Sequence, residues 1–214
     1  MTCKHCCGAD QLFDLKGARK ELKKYQKKGP GKSTSKLIKL IFGREDLNGK
    51  LLLDIGGGIG KIQWAFLQNG GGKSVDVDAS LGYLQVAEEF ASANDFSGKA
   101  SFFHGDFVDH CKEIEVADFV TLDKVICCYP DYKSLLKNSL EKCKNSIGII
   151  YPLGGLLSRA YTQISTLYFL IKKNPFRTYI HPPHEVEEFI MDHGFKACHK
   201  NIAFPWHVQV YERV

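Results

Sequence analysis

The run Leu51-Leu52-Leu53-Asp54-Ile55-Gly56-Gly57-Gly58-Ile59-Gly60 constrains the fold more than any other segment. An apolar stretch ends on a carboxylate, passes a glycine-dense turn and enters an amphipathic segment from Ile59 to Leu67. That is the pattern of a buried parallel strand feeding a helix through a tight loop. Glycines there allow unusual backbone angles and let a ligand reach the main chain. In an open α/β sheet such a unit cradles adenosine-containing cofactors.

Two glycine spacings compete for that role. A dinucleotide fingerprint, G-x-G-x-x-G/A, needs a small third residue where helix packs on strand. Counting from Gly56 that residue is Lys61, and counting from Gly58 it is Gln63, so both frames fail. The spacing that fits is D-x-G-x-G-x-G, with Asp54, Gly56, Gly58 and Gly60. Downstream, Ser74 to Ser80 forms a second strand, with Ser80 suited to cap a helix through Phe90. Asp78 falls at the carboxyl end of that strand, where its two acceptor oxygens suit ribose hydroxyls. Ser101 to His104 is a third strand, followed by Gly105-Asp106-Phe107, and Ala117 to Asp123 is a fourth.

In this order and spacing the four elements resemble class I S-adenosylmethionine-dependent methyltransferases over about residues 48–151. The resemblance implies an α/β fold: a Rossmann-like seven-stranded sheet, mostly parallel with an antiparallel C-terminal strand, and helices on both faces. It also implies S-adenosyl-L-methionine as cofactor and S-adenosyl-L-homocysteine as product. Backbone at Gly56 and Gly58 would approach the methionine end, and Asp54 would order its ammonium together with the Leu122 backbone. Asp78 with Ala79 would take the ribose, Asp106 the adenine amine, and Phe107 the ring. Asp76 has the character of a salt-bridged or solvated residue rather than a second ribose ligand. Scattered segments of 119–211 are similar to magnesium-protoporphyrin O-methyltransferases: Leu122 to Pro130, then Phe176-Arg177-Thr178-Tyr179-Ile180-His181, an acidic helix and Gly194-Phe195. Where those enzymes carry a histidine before Tyr-Pro, this chain has Cys128.

The rest of the chain divides readily. Residues 1–47 form a basic helical extension or lid, and 48–214 a methyltransferase domain with a helical substrate insert at about 153–177. Residues 1–11 have the look of a loose head; Leu12 to Lys28 and Ser33 to Phe42 are helices separated by Gly29-Pro30-Gly31. A helix over Lys133–Cys143 precedes a fifth strand, Ile147–Tyr151. Pro182-Pro183 opens a last helix, Gly194 ends it, and Phe195–Lys200 pairs with Trp206–Tyr211.

Residues 1–40 hold eleven Lys/Arg against three Asp/Glu, whereas the whole chain is only +5. The lysine-rich helix suggests phosphate contacts, yet it has few aromatics for base stacking and no RNA-binding module is readable, so nucleic acid is not expected as a partner. No run is long enough for a membrane span, and the N-terminus lacks the apolar core of a signal peptide. With eight cysteines in an α/β pattern, reduced thiols in a cytoplasmic enzyme are expected. Gly31-Lys32-Ser33-Thr34 is no phosphate loop, because Gln26 stands at the required first glycine.

A neutral hydroxyl acceptor would profit from a base. Tyr129, His181 and Tyr25 are the catalytic candidates, with His184 beside them; His181 can instead cap the last helix, and Tyr129 can simply shape the pocket floor. No metal is expected: in Cys3-x-His5-Cys6-Cys7 the adjacent Cys6 and Cys7 do not make two separated ligand pairs. Vicinal Cys127-Cys128 would suit a soft metalloid substrate, or merely end a buried strand. The sequence thus points to a methyltransferase for a small-molecule acceptor, most simply at oxygen. The alternatives are a non-catalytic cofactor-binding module, or an RNA methyltransferase using the basic helix.

Overall fold

A computed structural model describes residues 4–43 and 45–214, without the side chains of Lys4 and of residues 156–161. Five parallel strands, β1 (Leu51–Ile55), β2 (Lys73–Asp78), β3 (Ala100–His104), β4 (Ala117–Asp123) and β5 (Cys143–Pro152), are joined by helical crossovers. The hairpin β6 (Phe195–Ala203) and β7 (Trp206–Arg213) completes a seven-stranded sheet in the order β3-β2-β1-β4-β5-β7-β6. β7 runs antiparallel to both neighbours. This is the Rossmann-like sheet expected from the sequence. Its strand order reverses beside β1, and ligands bind at the carboxyl ends of strands around such a switch point.

Side-chain alternation along β1 feeds two cores. Leu53 and Ile55 join Leu135, Leu136, Val186 and Ile190, carried by α7 (Tyr132–Glu141) and α9 (Pro183–Asp192). Leu52 points the other way, towards Leu37, Trp64 and Ala87 of α3 (Lys32–Phe42), α4 (Lys61–Gln68) and α5 (Leu81–Ala93). Thus α3 is a core layer: Leu37 and Ile41 are buried and lie over Gly148 of β5. A division at residue 47 does not separate two cores.

The segment expected as a loose head is helical from Lys4 to Leu12 (α1). Periodicity does not reveal this helix because tertiary partners hold it. Asn174 Nδ2 donates to the Gly8 carbonyl (3.2 Å), and the Leu81 amide donates to Asp10 (2.9 Å). The chain then breaks at Phe13, and Asp14 caps α2 (Leu15–Lys28) by accepting from the Gly17 amide at 2.7 Å. Ser80 caps α5 as expected, accepting from the Tyr83 amide (3.1 Å), and its hydroxyl also donates to the Phe13 carbonyl. The short α6 (Phe107–His110) follows β3, and α8 (Gly155–Ile171) forms the insert after β5. Its Phe169 is buried, whereas Ile164, Leu167 and Ile171 are exposed. Among the described residues, no helix is long and apolar enough to cross a membrane.

Candidate active site

A cavity of about 1060 Å³ opens at the carboxyl ends of β1 to β4. One wall is the glycine loop with Asp54, Asp78 and Asp106; the other is apolar and aromatic, including Phe13, Phe169, Phe176, Tyr179 and Trp206.

Three carboxyls from β1 and β2 build the loop wall, each in a different way. Asp54 is buried, and its Oδ1 accepts from Thr121 Oγ1 at 2.6 Å. Its Oδ2 has no hydrogen-bond partner among the described residues. Burial pushes this carboxyl up to about 7, opposed by the Thr121 bond and the Lys61 charge and reinforced by Asp123 and Asp78. Asp76 is also fully buried, and accepts from the Gly57 amide (3.1 Å) and Gln63 Nε2 (2.8 Å). The expected salt-bridged or solvated role does not hold, since Asp76 braces the loop from beneath. Burial, with Asp78 and Asp54 nearby, keeps it well above the usual carboxylate range. Asp78 braces the loop from the cavity side, with Oδ2 accepting from the Gly58 amide (2.9 Å) and Oδ1 from the Ser80 amide (2.7 Å). Its carboxyl is raised by burial against those two amides.

Asp54 gives a pH signature whose sign is fixed. Because the folded value lies above the unfolded one, the folded state holds a proton that the unfolded chain has already released. Stability from this group is fully present below the unfolded value and is lost as pH rises through about 7. Between about pH 5 and pH 8, the wild-type chain is expected to lose melting temperature relative to Asp54→Asn. The depressed histidines His5, His181 and His207 act in the opposite sense, but are common to both proteins and cancel in the comparison. Parallel melting-temperature profiles for the two proteins would refute the assignment.

Of the expected cofactor positions, Asp54, Gly56, Gly58, Asp78, Ala79, Asp106 and Phe107 all line the cavity. Gly60 and Leu122 do not. Gly60 caps α4 in the left-handed region (φ 80°), where a Cβ would stand 2.5 Å from the Trp64 ring, so its role is packing. Leu122 is wholly buried within the sheet, and the next two residues, Asp123 and Lys124, reach the cavity instead.

The catalytic candidates separate in the same way. Tyr129 lines the cavity, and its hydroxyl donates to both oxygens of Asp106 (2.9 and 3.0 Å). His181 is not on the cavity wall. Its Nε2 lies 3.1 Å from the Ile126 carbonyl and 3.2 Å from that of Tyr129, with its ring against Tyr132. Both neighbours are acceptors, so Nε2 carries the proton, and burial lowers the basicity of the imidazole. His181 therefore holds the turn from Ile126 to Tyr129 through its Nε2 and makes no cap bond to the last helix. Tyr25 is also displaced from the site, packing on Phe90 in the helical layer.

The sequence did not single out a second set of polar groups in the cavity. Glu21 of α2 accepts from Tyr83 Oη (2.9 Å) and pairs with Lys61. Burial opposes its ionisation, but Lys61 and Tyr83 hold it below the usual carboxylate range. Asp123 accepts from Thr34 Oγ1 (2.5 Å) and from Lys124 Nζ (2.6 Å). Lys124 holds φ at 67°, uncommon for a side-chain-bearing residue, and places its ammonium 5.4 Å from the Trp206 ring centre. Cys127 and Cys128 line the same region, with their sulfurs 3.8 Å apart as free thiols.

No family model matches the chain, and no curated protein matches it in sequence. Solved structures do. A magnesium protoporphyrin IX methyltransferase from Synechocystis PCC 6803, with bound S-adenosylhomocysteine, superposes with a TM-score of 0.75. The two chains share 14% identity, over 96% of this chain and 98% of that one. The fold is that of a class I methyltransferase. An O-methyltransferase family protein from Burkholderia thailandensis gives a TM-score of 0.66 at 17% identity, over 84% of this chain and 55% of that one. The mitomycin 7-O-methyltransferase gives 0.61 at 17%, over 85% and 54% respectively.

Proposed function

We propose that this methyltransferase fold is an S-adenosylmethionine-dependent enzyme that methylates a small, partly apolar acceptor at oxygen. The observation that carries the proposal is the row of Asp54, Asp78 and Asp106 at the ends of three parallel strands, on one wall of a single cavity. The residues fit the cofactor. Asp54 Oδ2 is an unpaired acceptor suited to an ammonium, and a Cβ on Gly58 (φ 63°) would meet the Tyr83 ring and narrow the cradle. A volume of about 1060 Å³ lies at the upper end of small-molecule sites, enough for cofactor and acceptor together.

Asp54 would hold the amino group, Asp78 the ribose hydroxyls and Asp106 the adenine amine, with Phe107 against the ring. The cofactor supplies a methyl group already activated for displacement. The protein therefore aligns the partners and excludes water. The aromatic wall would seat a flat acceptor, and Lys124 would stabilise the anionic form of its hydroxyl. A phenolic acceptor would then need no dedicated base, in keeping with Cys128 at the histidine position and with His181 turned to backbone carbonyls.

Saturating S-adenosylhomocysteine is expected to raise stability by about 2.7 kcal/mol at 100-fold over its dissociation constant. For a domain of this size that is about 5–10 °C in melting temperature, with no shift from NADH. A shift with NADH alone would overturn the cofactor assignment. Turnover on phenolic acceptors, followed by S-adenosylhomocysteine release, tests the acceptor. Methylation of RNA with steeply salt-dependent binding would replace that assignment.

A further inference from the structure

His5 and Cys6 have no part in the proposed methyl transfer, yet both approach Oδ2 of Asp106, the carboxylate assigned there to the adenine amine. Three potential ligand atoms approach one another here: Cys6 Sγ to His5 Nε2 3.4 Å, Cys6 Sγ to Asp106 Oδ2 3.5 Å, and His5 Nε2 to Asp106 Oδ2 3.7 Å. A tetrahedral zinc ion bonds sulfur at about 2.3 Å and nitrogen or oxygen at about 2.0 Å, which sets its ligand atoms about 3.3–3.6 Å apart. The observed triangle has the size of one face of that tetrahedron.

We propose that His5 Nε2, Cys6 Sγ and the Asp106 carboxylate form a three-ligand site for a zinc-class divalent cation, fastening α1 to the end of β3. The donor set selects the metal class. One thiolate, one imidazole and one carboxylate suit zinc or cobalt, whereas magnesium and calcium prefer oxygen alone. All three residues line the cavity, which leaves the fourth position to water or another ligand. The surroundings also resemble an outer ligand shell. Tyr129 Oη donates to both oxygens of Asp106, and its ring meets the His5 ring edge-on with centres 4.5 Å apart. Helix α1 is held independently through Gly8 and Asp10, so the two N-terminal ligands are in place before a cation arrives. The sequence argued against a metal because Cys6 and Cys7 are adjacent. The fold supplies the missing ligand from 100 residues away.

The test uses the full chain without any S-adenosyl compound, so its outcome is independent of the proposed methyl transfer. Chelator-treated protein is titrated anaerobically with Co²⁺ and then with Zn²⁺ against a chromophoric competitor. One equivalent of Co²⁺ with a thiolate-to-cobalt charge-transfer band, displaced by Zn²⁺, is expected. Cys6→Ser and His5→Gln should each lose the band or weaken Zn²⁺ binding by about 100-fold or more. The double variant Cys127→Ser/Cys128→Ser should keep both. Absence of stoichiometric binding in the wild-type chain overturns the proposal. So does undiminished binding in folded His5→Gln, which decides the matter even if Cys6→Ser does not fold.

Discussion

Asp78→Ala is expected to weaken S-adenosylhomocysteine binding by about 100-fold or more, and also to lower the stability of the unliganded protein. The binding loss follows from removing a carboxylate that would accept from two ribose hydroxyls. Hydrogen bonds to a charged group contribute about 1.5–3 kcal/mol each, and about 1.4 kcal/mol is tenfold in affinity. The stability loss arises because Asp78 also accepts from the Gly58 and Ser80 amides, and alanine leaves both donors without that partner. A penalty of about 2 kcal/mol is reasonable for donors at a cavity wall that water can partly reach. Calorimetric titration well below the melting temperature separates the two effects. An affinity within about threefold of wild type would remove Asp78 from the ribose site, whatever happened to the melting temperature. Asp78→Asn keeps one acceptor for the loop and is expected to recover more stability than affinity.

Gly60→Ala should do the reverse, costing stability and sparing affinity. A left-handed backbone angle costs an alanine about 1–2 kcal/mol. The new methyl would also stand 2.5 Å from Trp64 Cε2 and Cζ2, and overpacking of that kind costs about 1–3 kcal/mol more. Together these predict a melting temperature lower by about 5–15 °C. Trp64 is fully buried against Phe90 and Phe96, so Trp64→Ala alone costs about 3–5 kcal/mol. In the double variant the ring that the methyl strikes is gone, and the two penalties should add to less than their sum. Strict additivity would show that Gly60 acts through something other than this contact. Gly58→Ala, on the cavity wall beside Tyr83, carries the same left-handed cost (φ 63°) without the ring clash, and is expected to lose affinity as well as that smaller stability.

The two glycines illustrate what a sequence pattern conveys. Spacing in D-x-G-x-G-x-G identified the turn, but Gly58 and Gly60 look alike in it, and their different duties depend on which ring lies opposite. The same holds for the acids of β2. Asp76 and Asp78 are two residues apart, and alternation puts both on one side of the strand. Only the end of the sheet separates them, since Asp76 lies beneath the loop and Asp78 beyond it. His181 and Tyr25 were candidate bases by residue type alone; the partners that hold them off the cavity wall lie 52 or more residues distant.

The family resemblance implied the seven-stranded sheet, and the tertiary structure set its strand order; by itself the sequence determined the succession of strands along the chain, the glycine turn and the acids at the strand ends. These depend on local periodicity and backbone preference, which neighbouring residues encode. The tertiary structure alone decided which groups face the cavity. It made a helix of residues 4–12, brought Glu21 and Lys124 to the site, bonded Thr34 to Asp123 there, and set His5 and Cys6 against Asp106. Those contacts join segments far apart in the chain, and their geometry follows from how helices pack on the sheet, which no local pattern records.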